Sequence, residues 1–85
     1  MKFTVVWTPA VERDLAELWL EYPTWRTEIS QAANEVDSFL RRDPEKHGES
    51  RFENVRFCFW SPLAVDYRVF PDDLRVEIIG ITFAP

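Results

Sequence analysis

An 85-residue chain with 46% hydrophobic residues, thirteen aromatics and four tryptophans can build one small core without metal or disulfides. Two glycines and 29% charged residues argue against disorder, and a single cysteine, Cys58, excludes an internal disulfide. The net charge of −5 repels polyanions at long range, so direct nucleic-acid binding is not expected.

Phe3, Val5 and Trp7 alternate with Lys2, Thr4 and Val6, which predicts a first strand over residues 2–7. Thr8 and Pro9 then start a helix: the threonine oxygen can accept from first-turn N–H groups, and proline at the first position has none to waste. Helical spacing at Val11, Leu15, Leu18, Trp19 and Tyr22 carries it to Pro23, which stops it. A second helix starts at Thr24 or Thr27, buries Ile29, Ala32, Ala33, Val36, Phe39 and Leu40, and ends at Arg42. Residues 9–43 hold four arginines against eight acids, while residues 51–85 hold four against five, so the acidity sits on the helices. Residues 43–50 are a polar loop with Gly48 at its turn, and three strands follow at 52–60, 63–70 and 75–83. Because the helix hairpin returns the chain to where the first strand ended, the next strand should run against the first. The expectation is α+β, β-α-α-β-β-β: a two-helix hairpin on one face of a four-stranded antiparallel sheet, in one domain spanning 1–85.

Alternation puts Val55, Phe57, Phe59, Leu63, Val65, Tyr67, Val69, Val76 and Ile78 under the helices. The far face then receives Arg56, Cys58, Trp60, Ala64, Asp66, Arg68, Phe70, Arg75 and Glu77. A three-residue loop at 60–62 would set Arg56 opposite Asp66, and a four-residue loop at 71–74 would set Arg68 opposite Glu77. These read as ordinary exposed ion pairs, worth about 0.2–1 kcal/mol each. Arg75 is left without a partner. The last strand is apolar on both faces, as a central strand is, which places the first strand beside it. Ile79, Ile81 and Phe83, with Trp60, Ala64 and Phe70, then form an uncovered apolar face of the kind partners use. A bulge near Gly80 that turns these residues inward is the alternative.

The opening VVWTPAVERDLAELW and the segment LAVDYRVFPDDLRVEIIGI resemble the first-strand-to-helix and third-to-fourth-strand segments of the RelE/ParE superfamily of bacterial type II toxins. The resemblance implies a toxin of a plasmid-stabilisation-like toxin–antitoxin system; the lone cysteine and the opening residues, which read as no signal peptide, make the cytoplasm the expected location. Members similar to ParE bind gyrase; members similar to RelE cut mRNA on the ribosome, with basic groups stabilising charge at phosphorus. For the ribonuclease alternative the candidate catalytic residues are Arg56, Arg75 and Arg51. Against it, the strand-three arginine position of the family holds Ala64, and the chain ends at Phe83-Ala84-Pro85 where such members carry a basic tail. Binding is therefore the expected mode, toward a cognate antitoxin with basic and apolar groups, through Trp60, Phe70, Ile79, Ile81, Phe83 and Arg68. A third reading is a non-toxic homologue that serves as an interaction or homodimerisation module.

His47 reads as a solvated loop residue and Asp72 and Asp73 as turn formers, so no metal site or cofactor is expected. Cys58, with no base as a same-face neighbour, reads as a structural thiol. The first fifteen residues read as neither a signal peptide nor a membrane span.

Overall fold

Each helix starts and stops where proline chemistry puts it. In the computed structural model, which describes residues 2–45, 49–52 (as backbone) and 54–85, β1 (Thr4–Trp7) leads into α1 (Pro9–Glu21). Pro9 occupies the first helical turn as expected. Thr8 does not cap the helix with its side chain; its hydroxyl instead donates to the Ile78 carbonyl at 3.1 Å, tying the helix start to the sheet. Pro23 ends α1 and opens a single 3-10 turn, Pro23–Trp25, from which α2 (Arg26–Arg42) continues. Arg41 and Arg42 lie in its last turn, where the helix dipole favours positive charge.

The predicted second strand, 52–60, is preceded by an additional strand whose first residues fall in the expected polar loop 43–50. β2 (Glu49–Phe52) turns back at once into β3 (Val55–Trp60), followed by β4 (Leu63–Phe70), a 3-10 turn at Pro71–Asp73, and β5 (Arg75–Phe83). The sheet order is β1-β5-β4-β3-β2. β1 does lie beside the last strand, but parallel to it, while all other neighbours are antiparallel. The expected all-antiparallel sheet is thus corrected to a mixed one, and the extra hairpin is the cause. β2 does run against β1, as the helix hairpin requires; the added reversal before β3 then inverts every later strand.

Both helices cover one face of the sheet. Val11 of α1 and Ala32, Ala33, Val36, Phe39 and Leu40 of α2 pack on Val5, Cys58, Leu63, Val65, Tyr67, Val69, Val76 and Ile78. Indole hydrogen bonds pin the layers together: Trp7 Nε1 donates to Asp37 at 3.0 Å and Trp60 Nε1 to Glu35 at 2.7 Å. These bonds settle position where apolar contact alone would allow sliding.

β4 and the start of β5 place their residues as alternation predicts, and Arg68 pairs in register with Glu77 across the expected four-residue loop. β3 does not. Ser61 and Pro62, joined by a cis peptide bond, form a two-residue turn with Trp60 opposite Leu63, so Arg56 faces Tyr67 rather than Asp66. A one-residue change of register exchanges the faces. Arg56, Cys58 and Trp60 therefore point to the helix side, while Phe57 and Phe59 turn to the far face. Val55, expected under the helices, is buried opposite Arg68 on that far face.

The bulge in β5 decides the fate of the predicted apolar patch. Tyr67 pairs with Ile78 but Asp66 pairs with Gly80, leaving Ile79 as the extra residue. Beyond it, Ile81 and Phe83 pair with Val65 and Leu63 and so face the helices. Phe83 stacks on Tyr22 at 3.9 Å and meets Trp25 edge-on at 5.6 Å. Trp60 packs on Phe39 at 4.9 Å. Of the six residues expected on an uncovered face, Trp60, Ile81 and Phe83 are part of the interior side instead.

Candidate partner-binding surfaces

Among the described residues two surfaces combine exposed large apolar side chains with flanking charge. The first is a groove of about 470 Å³ along the helix hairpin, lined by Glu12, Leu15, Ala16, Trp19, Leu20, Ile29 and Ser30. Leu20 is 66% exposed and, with Trp19 at 41%, extends the apolar lining of the groove to its rim. Arg26 fixes one wall: its guanidinium lies 4.1 Å over the Trp19 ring while its Nε donates to the Trp19 carbonyl at 2.8 Å. The tryptophan is thereby held broadside to the groove, ready to offer area at little cost in side-chain freedom. Leu20 falls off the apolar spacing that defines the inner face of α1. That misfit is the sequence signal that could have found the groove, which the sequence reading left unassigned.

The second surface is the far face of the sheet. It presents Val6, Phe57, Phe59 and Phe70 among Asp66, Arg68, Arg75 and Glu77. Phe59 is 56% exposed. Arg75 is not free of partners as expected: its Nε lies 3.4 Å from Glu77, its Nη1 lies 3.6 Å from Asp73, and its guanidinium covers Phe70 at 4.5 Å. The Glu77 contact is close enough to attract but too poorly aligned to hydrogen-bond. Arg68 is the arginine left over. It lies in register with Glu77 yet makes no ion pair or hydrogen bond among the described residues, and its Nε is shielded from water.

The three candidate catalytic arginines are not brought together. Arg56 lies on the helix side, hydrogen-bonded to the Tyr67 phenol, whose hydroxyl in turn donates to the Pro44 carbonyl at 2.8 Å. Burial raises the Tyr67 pKa, with the Arg56 hydrogen bond opposing. Arg75 occupies the opposite face, and the Arg51 side chain and His47 fall outside the described residues. Arg56 and Arg75 cannot close on one phosphate through the thickness of a sheet. Cys58 is buried, and burial followed by the Asp66 carboxylate pushes its thiol up to about 11, so it is protonated and shielded rather than nucleophilic. Among the described residues no group of three His, Cys, Asp or Glu could hold a metal. No helix is long and apolar enough to cross a membrane.

The two-helix layer, the five-strand order and the parallel β1–β5 pair define the fold class of RelE/ParE-type toxins. Among solved structures the chain is similar to a chain of the RelBE2 toxin–antitoxin complex from Mycobacterium tuberculosis. That match has a TM-score of 0.78 and 23% identity over 98% of this chain and 99% of that one. It is also similar to a chain of the chromosomal ParDE toxin–antitoxin system from P. aeruginosa, with a TM-score of 0.76 and 18% identity over 99% and 98%. No family model and no curated protein matches the sequence. At these identities the likeness establishes the fold.

Proposed function

We propose that the chain is the toxin of a type II toxin–antitoxin pair, acting by protein binding, and that its antitoxin seats an amphipathic helix in the hairpin groove. The observation that carries this reading is the groove itself, apolar along Leu15, Trp19, Leu20 and Ile29 on the acidic layer of the molecule. A helix with apolar residues at i, i+3 or i+4 and i+7, flanked by lysine or arginine, matches both features. The solved neighbours with this fold come from toxin–antitoxin complexes, which supports a partner of that kind. The far-face site expected from sequence for the antitoxin is less suited, because its charges balance and half its predicted residues point inward.

Leu20→Asp tests the reading. Leu20 is exposed, so the substitution leaves the fold intact while placing a carboxylate in the groove. Induced in bacteria, wild type should arrest growth and be neutralised by the protein encoded beside it. The variant should still arrest growth while binding that protein about 100-fold less tightly, the cost of about 2.7 kcal/mol at a central contact. Unchanged neutralisation of Leu20→Asp would place the antitoxin elsewhere. In the same cells, mRNA cleavage within translated codons that disappears with Arg56→Ala would favour the ribonuclease alternative over binding.

A further inference from the structure

The far face of the sheet is unlike the rest of the molecule in charge. The chain carries −5 and its helices are acidic, yet the described charges of this face, Asp66 and Glu77 against Arg68 and Arg75, cancel. Two copies of an acidic protein repel through any acidic face; this one removes that barrier. The face also holds exposed Phe59, with Phe57, Phe70 and Val6, all apolar and all left by the chain without a helix over them. Arg68 adds a specific demand. Among the described residues its Nε is shielded and has no hydrogen-bond partner, because the in-register Glu77 leans to Arg75, which leaves it able to take a carboxylate from a second molecule.

We propose that a second copy of this chain covers the far sheet face about a two-fold axis, with Arg68 of each copy paired to an acid of the other. In such an isologous contact each pairing occurs twice, so a neutral face that contains both partners of the pair is self-complementary. A basic partner would gain nothing from a balanced surface, whereas the acidic helix layer offers it more. The order of strength follows from size. Strands about 4.8 Å apart and about eight residues long give roughly 500 Å² of flat area, below the ~800 Å² per partner of a standard interface. The dimer is therefore expected to be of micromolar strength. This surface lies across the sheet from the antitoxin groove, so the inference stands or falls separately from the toxin reading.

Sedimentation equilibrium of the full chain over about 1–200 µM, the range such an interface implies, reads the result directly. The average mass should rise from monomer toward twice that value. Phe59→Asp should stay monomeric across the range with an unchanged circular dichroism spectrum and a nearly unchanged melting temperature, since Phe59 is more than half exposed. Arg68→Glu should weaken the dimer at least tenfold, and Arg68→Glu combined with Glu77→Arg should restore it to within about threefold. A wild-type chain that remains monomeric throughout overturns the proposal, as does a dimer that persists in Phe59→Asp. Loss in Phe59→Asp without loss in Arg68→Glu, or no recovery in the exchanged pair, overturns the two-fold charge pairing. Binding of a single-stranded oligonucleotide by a protein that stays monomeric would assign the aromatic face to base stacking and overturn it too.

Discussion

The two faces of the sheet are made by the same strands and differ residue by residue. On the helix side Leu63, Val65, Tyr67, Val76 and Ile78 are fully buried. One position along, Ala64, Asp66, Arg68, Phe70, Arg75 and Glu77 are only half-covered. The first set is closed by the chain's own helices; no helix covers the second among the described residues. Along β4 and the start of β5, burial is thus concentrated on alternate residues, and a substitution there should affect stability according to parity. The helix layer repeats the division, with Ile29 as the floor of a groove whose rim residue Leu20 is free.

The largest effect that tests this division is on the covered face. Ile78→Ala removes a fully buried side chain between β1 and β4, and should cost about 2–5 kcal/mol in urea-induced unfolding. A cost under about 1 kcal/mol would mean that the helices do not seal this face.

Cys58 gives a smaller effect with a defined pH window. Burial and then Asp66 hold its thiol up to about 11, from the ordinary 9.0. A raised pKa in an acid means that the folded state keeps a proton the unfolded chain releases. Stability from this group is therefore complete below pH 9 and is lost as pH rises from about 9 to about 11. The loss is about 2 kcal/mol at the alkaline end, and Cys58→Ala should reduce the slope in that window. Part of the slope should survive, because burial raises Tyr67 in the same direction. An equal slope in wild type and variant would mean that the thiol is not shielded.

The faces of β4 were legible because its eight residues alternate without interruption and its loop to β5 allows only one register free of a like-charge pair. The neighbouring β3 follows the same period, but its facing depends on whether the turn at 60–62 uses two residues or three. Composition does not decide that, because both faces of VRFCFW hold aromatics: Phe57 and Phe59 on one, Trp60 on the other. The indole bond from Trp60 to Glu35 and its packing on Phe39 are long-range, and no local pattern announces them. The parallel β1–β5 pair was hidden for a similar reason. The antiparallel pairing of β2 with β3, at the start of what reads as one continuous strand, changes the direction of everything after it.

The site was less legible than the fold. Arg68 and Phe70 are on the far face as expected, and Ile79 is exposed at the bulge. Ile81 and Phe83 went inward because one extra residue restored their pairing with Val65 and Leu63. Periodicity allowed that bulge without requiring it. The helix groove went unassigned because Trp19 fits the inner spacing of α1, whereas the packing leaves it on the flank with Arg26 stacked over it.

The smallest effect has the opposite sign. Arg68 holds a shielded Nε donor with no acceptor among the described residues, and those residues leave its desolvation cost without an offsetting bond. Methionine keeps most of the stem that lies along the sheet and removes the donor and the charge. Arg68→Met should therefore leave the monomer unchanged or stabilise it, by up to about 1 kcal/mol at protein concentrations too low for pairing. A substitution that strengthens the isolated chain marks a residue retained for something other than folding, which separates it from every residue one position along β4. A loss of more than about 1 kcal/mol would show that Arg68 is satisfied within its own chain, and the division between the two faces would fail at the residue where it is sharpest.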